Sequence, residues 1–380
     1  MVDSSIWDQE IDVPEDVICY VDSNVSASVL PITPWSEMGT RAKRNYLPTA
    51  VTKFYQIFHP GAKSRAYPRM ERATGHARQK YKLHRRTEAR YRSFSRSAHA
   101  IFDVMLIARF NGDYQVSQNE TGKGMMSGEF ASMSALHDTM PDLAPKPIAW
   151  GTYASNPNVH FFLCSFHDMT DEVPDIEVFP AKIAELHMKG VSPNGKFGFP
   201  VINYQGRLPQ DTTWCDTWEE CFSRSLKRML ELEEESQGYN EEMRFLSNAI
   251  MTKVIPRLLR PLETEGRQIL PRLVHGDLWD GNTSTDVATD NPVIFDAAAF
   301  YAHNEYELGP WRPTRHKIGK LYVHAYHKYF PISVPEEDFD DRNALYCIVM
   351  EEMKDLVEKF PEGYEGWIKQ RGVSPEDPKI

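Results

Sequence analysis

Cysteine is scarce in this 380-residue chain. The five residues, Cys19, Cys164, Cys215, Cys221 and Cys347, are scattered, odd in number and never spaced as Cys-x-x-Cys, which argues against a disulfide framework and a cysteine zinc site. Long apolar runs are missing as well. None approaches 18 residues, and the acidic N-terminus lacks a basic stretch followed by an apolar one, so neither a membrane span nor a signal peptide is expected and the cytosol is the default location. Positive charge is in deficit too: the formal net charge of −11 argues against a general nucleic-acid binder. A phosphate loop of the Walker type is also absent. Gly122-Lys123-Gly124 comes nearest, yet no Gly stands five residues before Gly122 and no Ser or Thr follows Lys123, so the stretch reads as a flexible connection. At about 100 to 200 residues per domain, the length fits two domains or one bilobal unit.

What the chain does carry is His275-Gly276-Asp277-Leu278-Trp279-Asp280-Gly281-Asn282, followed by the apolar run Val293-Ile294-Phe295 that ends at Asp296. Phosphoryl transfer needs a carboxylate near the attacking hydroxyl, plus an amide oxygen and a second carboxylate to hold Mg²⁺ on the nucleotide phosphates. Kinase catalytic loops supply the first two as Asp-x-x-x-x-Asn. Asp277 and Asn282 have that spacing, and Asp296 follows a β-branched and aromatic run that places it at a strand end. An isolated Asp-x-x-x-x-Asn carries little weight, since both residues are common caps and turn formers. Here the glycines at 276 and 281 allow a tight loop between two apolar stretches.

These residues, with Tyr301-Ala302-His303-Asn304-Glu305-Tyr306-Glu307-Leu308, resemble the fructosamine kinase (ketosamine-3-kinase) family, part of the aminoglycoside phosphotransferase group with a protein-kinase-like fold. The resemblance runs from about Val116 to about Lys359. It implies an α+β bilobal fold: a small β-rich N-lobe and a larger, mostly helical C-lobe. The division expected is an atypical, partly disordered basic region at 1–100, a remnant nucleotide-binding lobe at 101–166 and a helical lobe at 167–380. It further implies ATP and Mg²⁺ as cofactors, with Asp277 as catalytic base, Asn282 and Asp296 on the metal, and backbone groups of Leu163, Cys164, Ser165 and Phe166 meeting adenine. On the substrate side it points to Trp279 and Trp214, and to His303 and Glu305, for which bracing of the loop is the favoured reading over contact with substrate. His275 is expected to order the loop by hydrogen bonding.

One position departs from the family pattern. Kinases of this fold hold the phosphates with a Lys on an N-lobe strand paired to a Glu on the next helix. Gly128-Glu129 matches the helix part, and counting back puts the family Lys at Gln115. A neutral amide does not replace an ammonium opposite phosphate charge. Asp280 also stands where many relatives have a small residue, which leaves the substrate preference open.

The rest of the chain supplies elements. Residues 147–153 and 159–166 read as two strands of a hairpin about a turn at Asn156-Pro157-Asn158, and Phe179, Ile183 and Leu186 mark a helix. Trp218, Phe222, Leu226, Met229 and Leu230 mark another, Met243, Leu246, Ile250, Val254 and Leu258 a third, and the acidic run 231–235 a solvated face and turn. Weak strands near Val17 to Val21 and a helix near Val51 to Phe58 are expected further upstream. Between Lys63 and Arg96, twelve basic residues face two acidic ones. That block reads as a nucleic-acid or anionic-surface arm with stacking from Tyr67, Tyr81, Tyr91 and Phe94, as a solvated disordered segment, or as the product of an imperfect gene model.

The expectation overall is an ATP-dependent kinase that phosphorylates ketosamines, ribulosamine or fructosamine adducts on protein lysines, at the sugar 3-hydroxyl in protein deglycation. The alternatives are a kinase for another small amine-bearing alcohol, and a catalytically impaired relative that binds nucleotide or a glycated partner. Expected partners are ATP and a ketosamine-modified protein or small molecule, with no membrane.

Overall fold

The structure, a computed structural model, describes residues 112–153 and 156–372. The basic block at 63–96, the weak strands near 17–21, the helix near 51–58 and the whole of the region 1–100 lie outside the described residues.

The small lobe is a three-stranded antiparallel sheet, order β1-β3-β2, with one long helix across it. Strand β1 spans Gly112–Gln118, β2 Pro147–Tyr153 and β3 Asn156–Ser165. Because strand side chains alternate between faces, β3 splits its apolar residues. Phe162 joins the main core and meets Phe130 edge-on at 6.1 Å, while Val159, Phe161 and Leu163 form a separate cluster with Ala149 and Tyr153. The expected hairpin is present, but Asn156-Pro157-Asn158 belongs to β3 instead of making the turn.

The helix α1, Asn119–Thr139, starts ten residues before Glu129, so Gly122, Lys123 and Gly124 are helical and the flexible connection expected there is corrected. Close packing is the reason. A Cβ at Gly124 would lie 2.4 Å from the Tyr204 hydroxyl, and one at Gly128 would lie 2.8 Å from the Asn203 backbone. The glycines lower helix propensity, and the contacts their bareness permits outweigh that cost.

The large lobe begins with α2 (Val178–Lys189), which buries Phe179, Ile183 and Leu186 as its spacing predicts. Helix α3, Trp218–Gln237, is capped by the Thr217 hydroxyl and buries a stripe from Trp218 through Leu230. It runs through the acidic stretch expected to turn, ending only at Gly238, whose φ is 85°. Helix α4 (Glu241–Ala249) passes through a π-turn, Ile250–Val254, into α5 (Ile255–Leu259). Pro256 offers no N–H there, and the wider turn absorbs the gap.

Strands β4 (Tyr204–Gln205) and β5 (Leu208–Pro209) pair antiparallel as a short ribbon, and four further short strands position the site. Strand β6 (Arg272–Val274) pairs antiparallel with β9 (Phe300–Ala302), and β7 (Thr283–Thr285) pairs with β8 (Pro292–Ile294). Val274 faces Phe300 and Thr283 faces Ile294. The loops 275–282 and 295–299 are therefore held side by side, each strung between the same two ribbons. A 3₁₀ segment, Asn304–Trp311, and α6 (Lys320–Tyr326), α7 (Phe339–Cys347), α8 (Met350–Lys359) and α9 (Gly363–Gln370) complete the lobe. Among the described residues no helix is long and apolar enough to cross a membrane.

Candidate active site

The two loops are laced together by backbone and imidazole. Phe295 N–H donates to Asn282 O, and Ala298 N–H donates to His275 O, each at 3.0 Å. His275 is fully buried, and burial pushes its imidazole below the ordinary range, so the ring is neutral. Its Nε2 meets the Phe295 carbonyl at 3.0 Å and must carry the proton, which leaves Nδ1 to accept from Asp277 N–H at 3.3 Å. A ring committed on both nitrogens orders the loop and does not act as a base. Glu307, 1 % exposed, takes the backbone N–H groups of His275 and Gly276 on its carboxylate, and Trp311 Nε1 donates to Leu278 O. Gly276 has φ of 80°, and a Cβ there would lie 2.2 Å from the Ala298 carbonyl oxygen, so only glycine fits.

On that scaffold the Asn282 amide nitrogen donates to Asp277 twice, to its backbone oxygen at 2.8 Å and to Oδ2 at 3.0 Å. The amide is thereby oriented, with Oδ1 left as its acceptor. Asp296 follows one residue after Phe295 and adopts a left-handed φ of 62°, a conformation that non-glycine residues hold where the surroundings enforce it. Its Oδ1 accepts a hydrogen bond from Gln115 Nε2 at 2.9 Å, and the same nitrogen donates to Glu129 Oε1 at 2.7 Å. Gln115 thus stands between the α1 carboxylate and the β8-end carboxylate.

A small cleft opens here. Gln115, Glu129 and Asp296 form one end, and Cys164, Ser165, His167 and Met169 the other, with Met133, Phe162 and Phe295 among its apolar walls. Among the described residues no three His, Cys, Asp or Glu side chains cluster as a metal site. The donor set suits Mg²⁺ nonetheless: this cation takes one or two carboxylates with oxygens of the substrate phosphates and water, and Asp296 with the freed Oδ1 of Asn282 supplies hard oxygen ligands.

The structure brings Gln115, Glu129, Cys164, Ser165 and Asp296 to one cleft and sets Asn282 against Asp277. Other expected positions shift. Leu163 is 0 % exposed and sits in a central strand, paired with Tyr114 on one side and Ala149 on the other. Cys164 is likewise paired on both edges, with Asp113 and Pro147, and the Ser165 N–H donates to Lys146 O at 2.8 Å. Leu163 thus lies between two strands in the sheet and does not line the cleft, whereas Cys164 does. Phe166 follows directly but is absent from the cleft wall.

His303 and Glu305 are corrected as substrate contacts. Both are 0 % exposed. His303 is held by the Tyr346 hydroxyl at 2.9 Å and the Ser333 hydroxyl at 2.8 Å. Glu305 pairs with buried Arg342, Nε to Oε2 at 2.8 Å, and bracing is what it does, though of the 333–342 segment and not of the catalytic loop. Trp214 is half-buried and stacks on Tyr301 at 6.0 Å, tied to the β6–β9 ribbon. Trp279 folds over Gly281 and meets His316 edge-on at 5.4 Å, while His316 Nδ1 lies 2.9 Å from Asp280. Sequence reasoning missed His167 and Met169 on the cleft wall, and Gln205, whose amide donates to Gly276 O at 2.9 Å. No spacing signal marks them, since each arrives from a separate loop.

Two carboxylates, an oriented amide and a cleft between a small sheet and a helical lobe define the kinase-like class of fold. The chain belongs to the fructosamine kinase family, whose model matches residues 96–369. It is 31 % identical over 244 residues to the chloroplastic protein-ribulosamine 3-kinase of Oryza sativa subsp. indica, covering 62 % of this chain and 65 % of that one. It is 31 % identical over 215 residues to the ketosamine-3-kinase of Mus musculus, covering 51 % of this chain and 67 % of that one. The chain thus spans about two thirds of the length of these relatives. Among solved structures, a candidate fructosamine-3-kinase of Thermobifida fusca superposes with a TM-score of 0.49 at 20 % identity, over 62 % of this chain and 81 % of that one.

Proposed function

We propose that this chain transfers the γ-phosphoryl group of ATP to the 3-hydroxyl of a ketosamine, a ribulosamine or fructosamine adduct on a protein lysine or a small amine. The observation that carries the reading is the pairing of Asn282 with Asp277 on a loop whose neighbour brings Asp296 against Gln115 and Glu129. Asp277 accepts or orients the hydroxyl proton as the oxygen attacks phosphorus; the new O–P bond forms as the bond to ADP breaks. Asn282 and Asp296 would hold Mg²⁺, which when bound neutralises charge on the phosphates. Trp279, and Trp214 on its ribbon, would wall the ketosamine side. A cytosolic location accompanies the reading.

The test is ADP formation by the full chain with ATP, Mg²⁺ and a ribulosylated lysine peptide, with phosphorus NMR locating the phosphate on the sugar. Turnover that is lost on chelation and on Asp296→Asn supports the reading. ADP formation with other amine-bearing alcohols and with no ketosamine would replace the substrate class.

A second reading, a relative that binds nucleotide without turnover, is favoured by one observation: the amide of Gln115 holds the place that the resemblance gives to a lysine, bonded to both carboxylates. ATP binding with no ADP formed on any of these alcohols would establish it.

A further inference from the structure

The end of the cleft away from Gln115 is finished by a side chain that the proposed reaction does not yet use. His167 stands two residues beyond β3, lines the cleft beside Ser165 and Met169, and is 31 % exposed. Its Nδ1 lies 2.9 Å from Oδ2 of Asp286. That carboxylate is itself fixed in the turn between β7 and β8, where Oδ1 accepts the N–H groups of Ala288 and Thr289 and the Thr289 hydroxyl, at 2.8 to 3.0 Å. Burial pushes the Asp286 carboxyl up, but hydrogen bonds from Thr289 and His167 outweigh it and hold the group below the ordinary carboxylate range.

An ionised carboxylate only accepts, so the Nδ1–H of His167 donates to Asp286, and in that tautomer Nε2 is the acceptor of the ring. The hydrogen bond that Nε2 makes is to the Ser165 hydroxyl at 3.4 Å, near the far limit for such a bond. Upstream, Leu163 and Cys164 lie in register with strands on both sides of β3, and His167 is a polar side chain on the cleft wall just after the strand.

We propose that His167 recognises the nucleoside half of bound ATP, its Nε2 accepting a hydrogen bond from a donor there, with Asp286 as the positioning residue that sets the tautomer. The proposal rests on the phosphotransfer reading above, which assigns Gln115, Glu129 and Asp296 to the phosphate end. Two nucleoside groups have the required chemistry, a ribose hydroxyl and the 6-amino group of adenine. A guanine base offers a carbonyl oxygen at the corresponding atom and would face an acceptor.

Calorimetric titration of the full chain with ATP, 2′-deoxy-ATP, 3′-deoxy-ATP and purine riboside triphosphate, which lacks the amino group, tests this. His167→Ala is expected to weaken ATP binding about three- to tenfold, the range of one neutral hydrogen bond. His167→Gln keeps an acceptor and stays within about twofold of the native chain. Asp286→Asn retains the turn through its amide oxygen but turns an N–H toward Nδ1, which makes Nε2 a donor. It is expected to weaken ATP as His167→Ala does, an effect that loss of structure alone would not single out. The analogue that binds the native chain and His167→Ala equally well identifies the donor. Unchanged binding of all four nucleotides by His167→Ala and Asp286→Asn would overturn the role of His167 while leaving the phosphotransfer reading standing. A native chain that binds none of the four would overturn both.

Discussion

Asp277 and Asn282 form the part of the site that single residues decide. The amide of Asn282 fixes one carboxylate oxygen of Asp277, the group proposed above to take or orient the hydroxyl proton. Asp277→Asn should lower turnover by about 10²- to 10⁴-fold, the usual contribution of a positioned base, while ATP affinity stays near native; steady-state kinetics beside calorimetry checks both. Gln115 is the complementary case. A charged donor to phosphate is stronger than a neutral one by about 1 kcal/mol, so Gln115→Lys should lower KM for ATP by about five- to tenfold. An unchanged KM would show that position 115 does not reach the phosphates. Both residues were legible in sequence by identity and spacing. His303 and Glu305 were legible only as belonging to the pattern, because burial is not written in a residue type: the same carboxylate that could meet an amine instead neutralises Arg342 in the core.

At the scale of elements, the ribbon pairs β6–β9 and β7–β8 turn two distant loops into one wall. Spacing predicted the strand that precedes Asp296, but not the register that sets Val274 against Phe300 and Thr283 against Ile294. The 3₁₀ segment Asn304–Trp311 anchors this wall from beneath, Glu307 holding the loop amides and Glu305 holding Arg342 of α7. Removing one partner of a fully buried ion pair strands the other charge, at a cost of about 3 to 5 kcal/mol. Arg342→Ala should therefore lower Tm by about 10 °C, at 2 to 4 °C per kcal/mol for a chain of this size, as differential scanning calorimetry would register. Replacing Arg342 and Glu305 together with apolar residues should recover much of that loss. Helix α1 shows the opposite relation of sequence to element. Its glycines spoke for a loop, and the tight approach of the 202–204 segment made them helical.

The whole molecule answers to pH through groups that packing has buried. His303 is enclosed and burial pushes its imidazole down to about 4, against about 6.5 in an unfolded chain. Between those values the unfolded chain binds the extra proton and the folded one does not, so the stability contributed by neutral His303 is present above about pH 6.5 and is lost as pH falls toward 4. At about 1.4 kcal/mol per pH unit the loss reaches about 3 kcal/mol. Glu263 works the other way, since burial pushes its carboxyl up to about 7 and favours the folded state at low pH, an advantage lost as pH rises through 7. The His303 contribution is therefore best read as a difference: urea unfolding of the native chain and of His303→Asn between pH 4 and 7 should show the variant with the shallower dependence. Equal slopes would mean that His303 is protonated in the folded state.

Sequence by itself determined which atoms could do chemistry and one of their meetings. Asp277 and Asn282 are five residues apart in one loop, and a chain that short brings them together under local geometry alone. Tertiary structure decided the rest. Gln115 and Asp296 are 181 residues apart, as His167 and Asp286 are 119 apart, and whether such pairs touch depends on strand register and on which side chains the core encloses. Those outcomes follow from the packing of the whole chain, because burial and long-range contact are properties of the assembled surface and not of any stretch of residues.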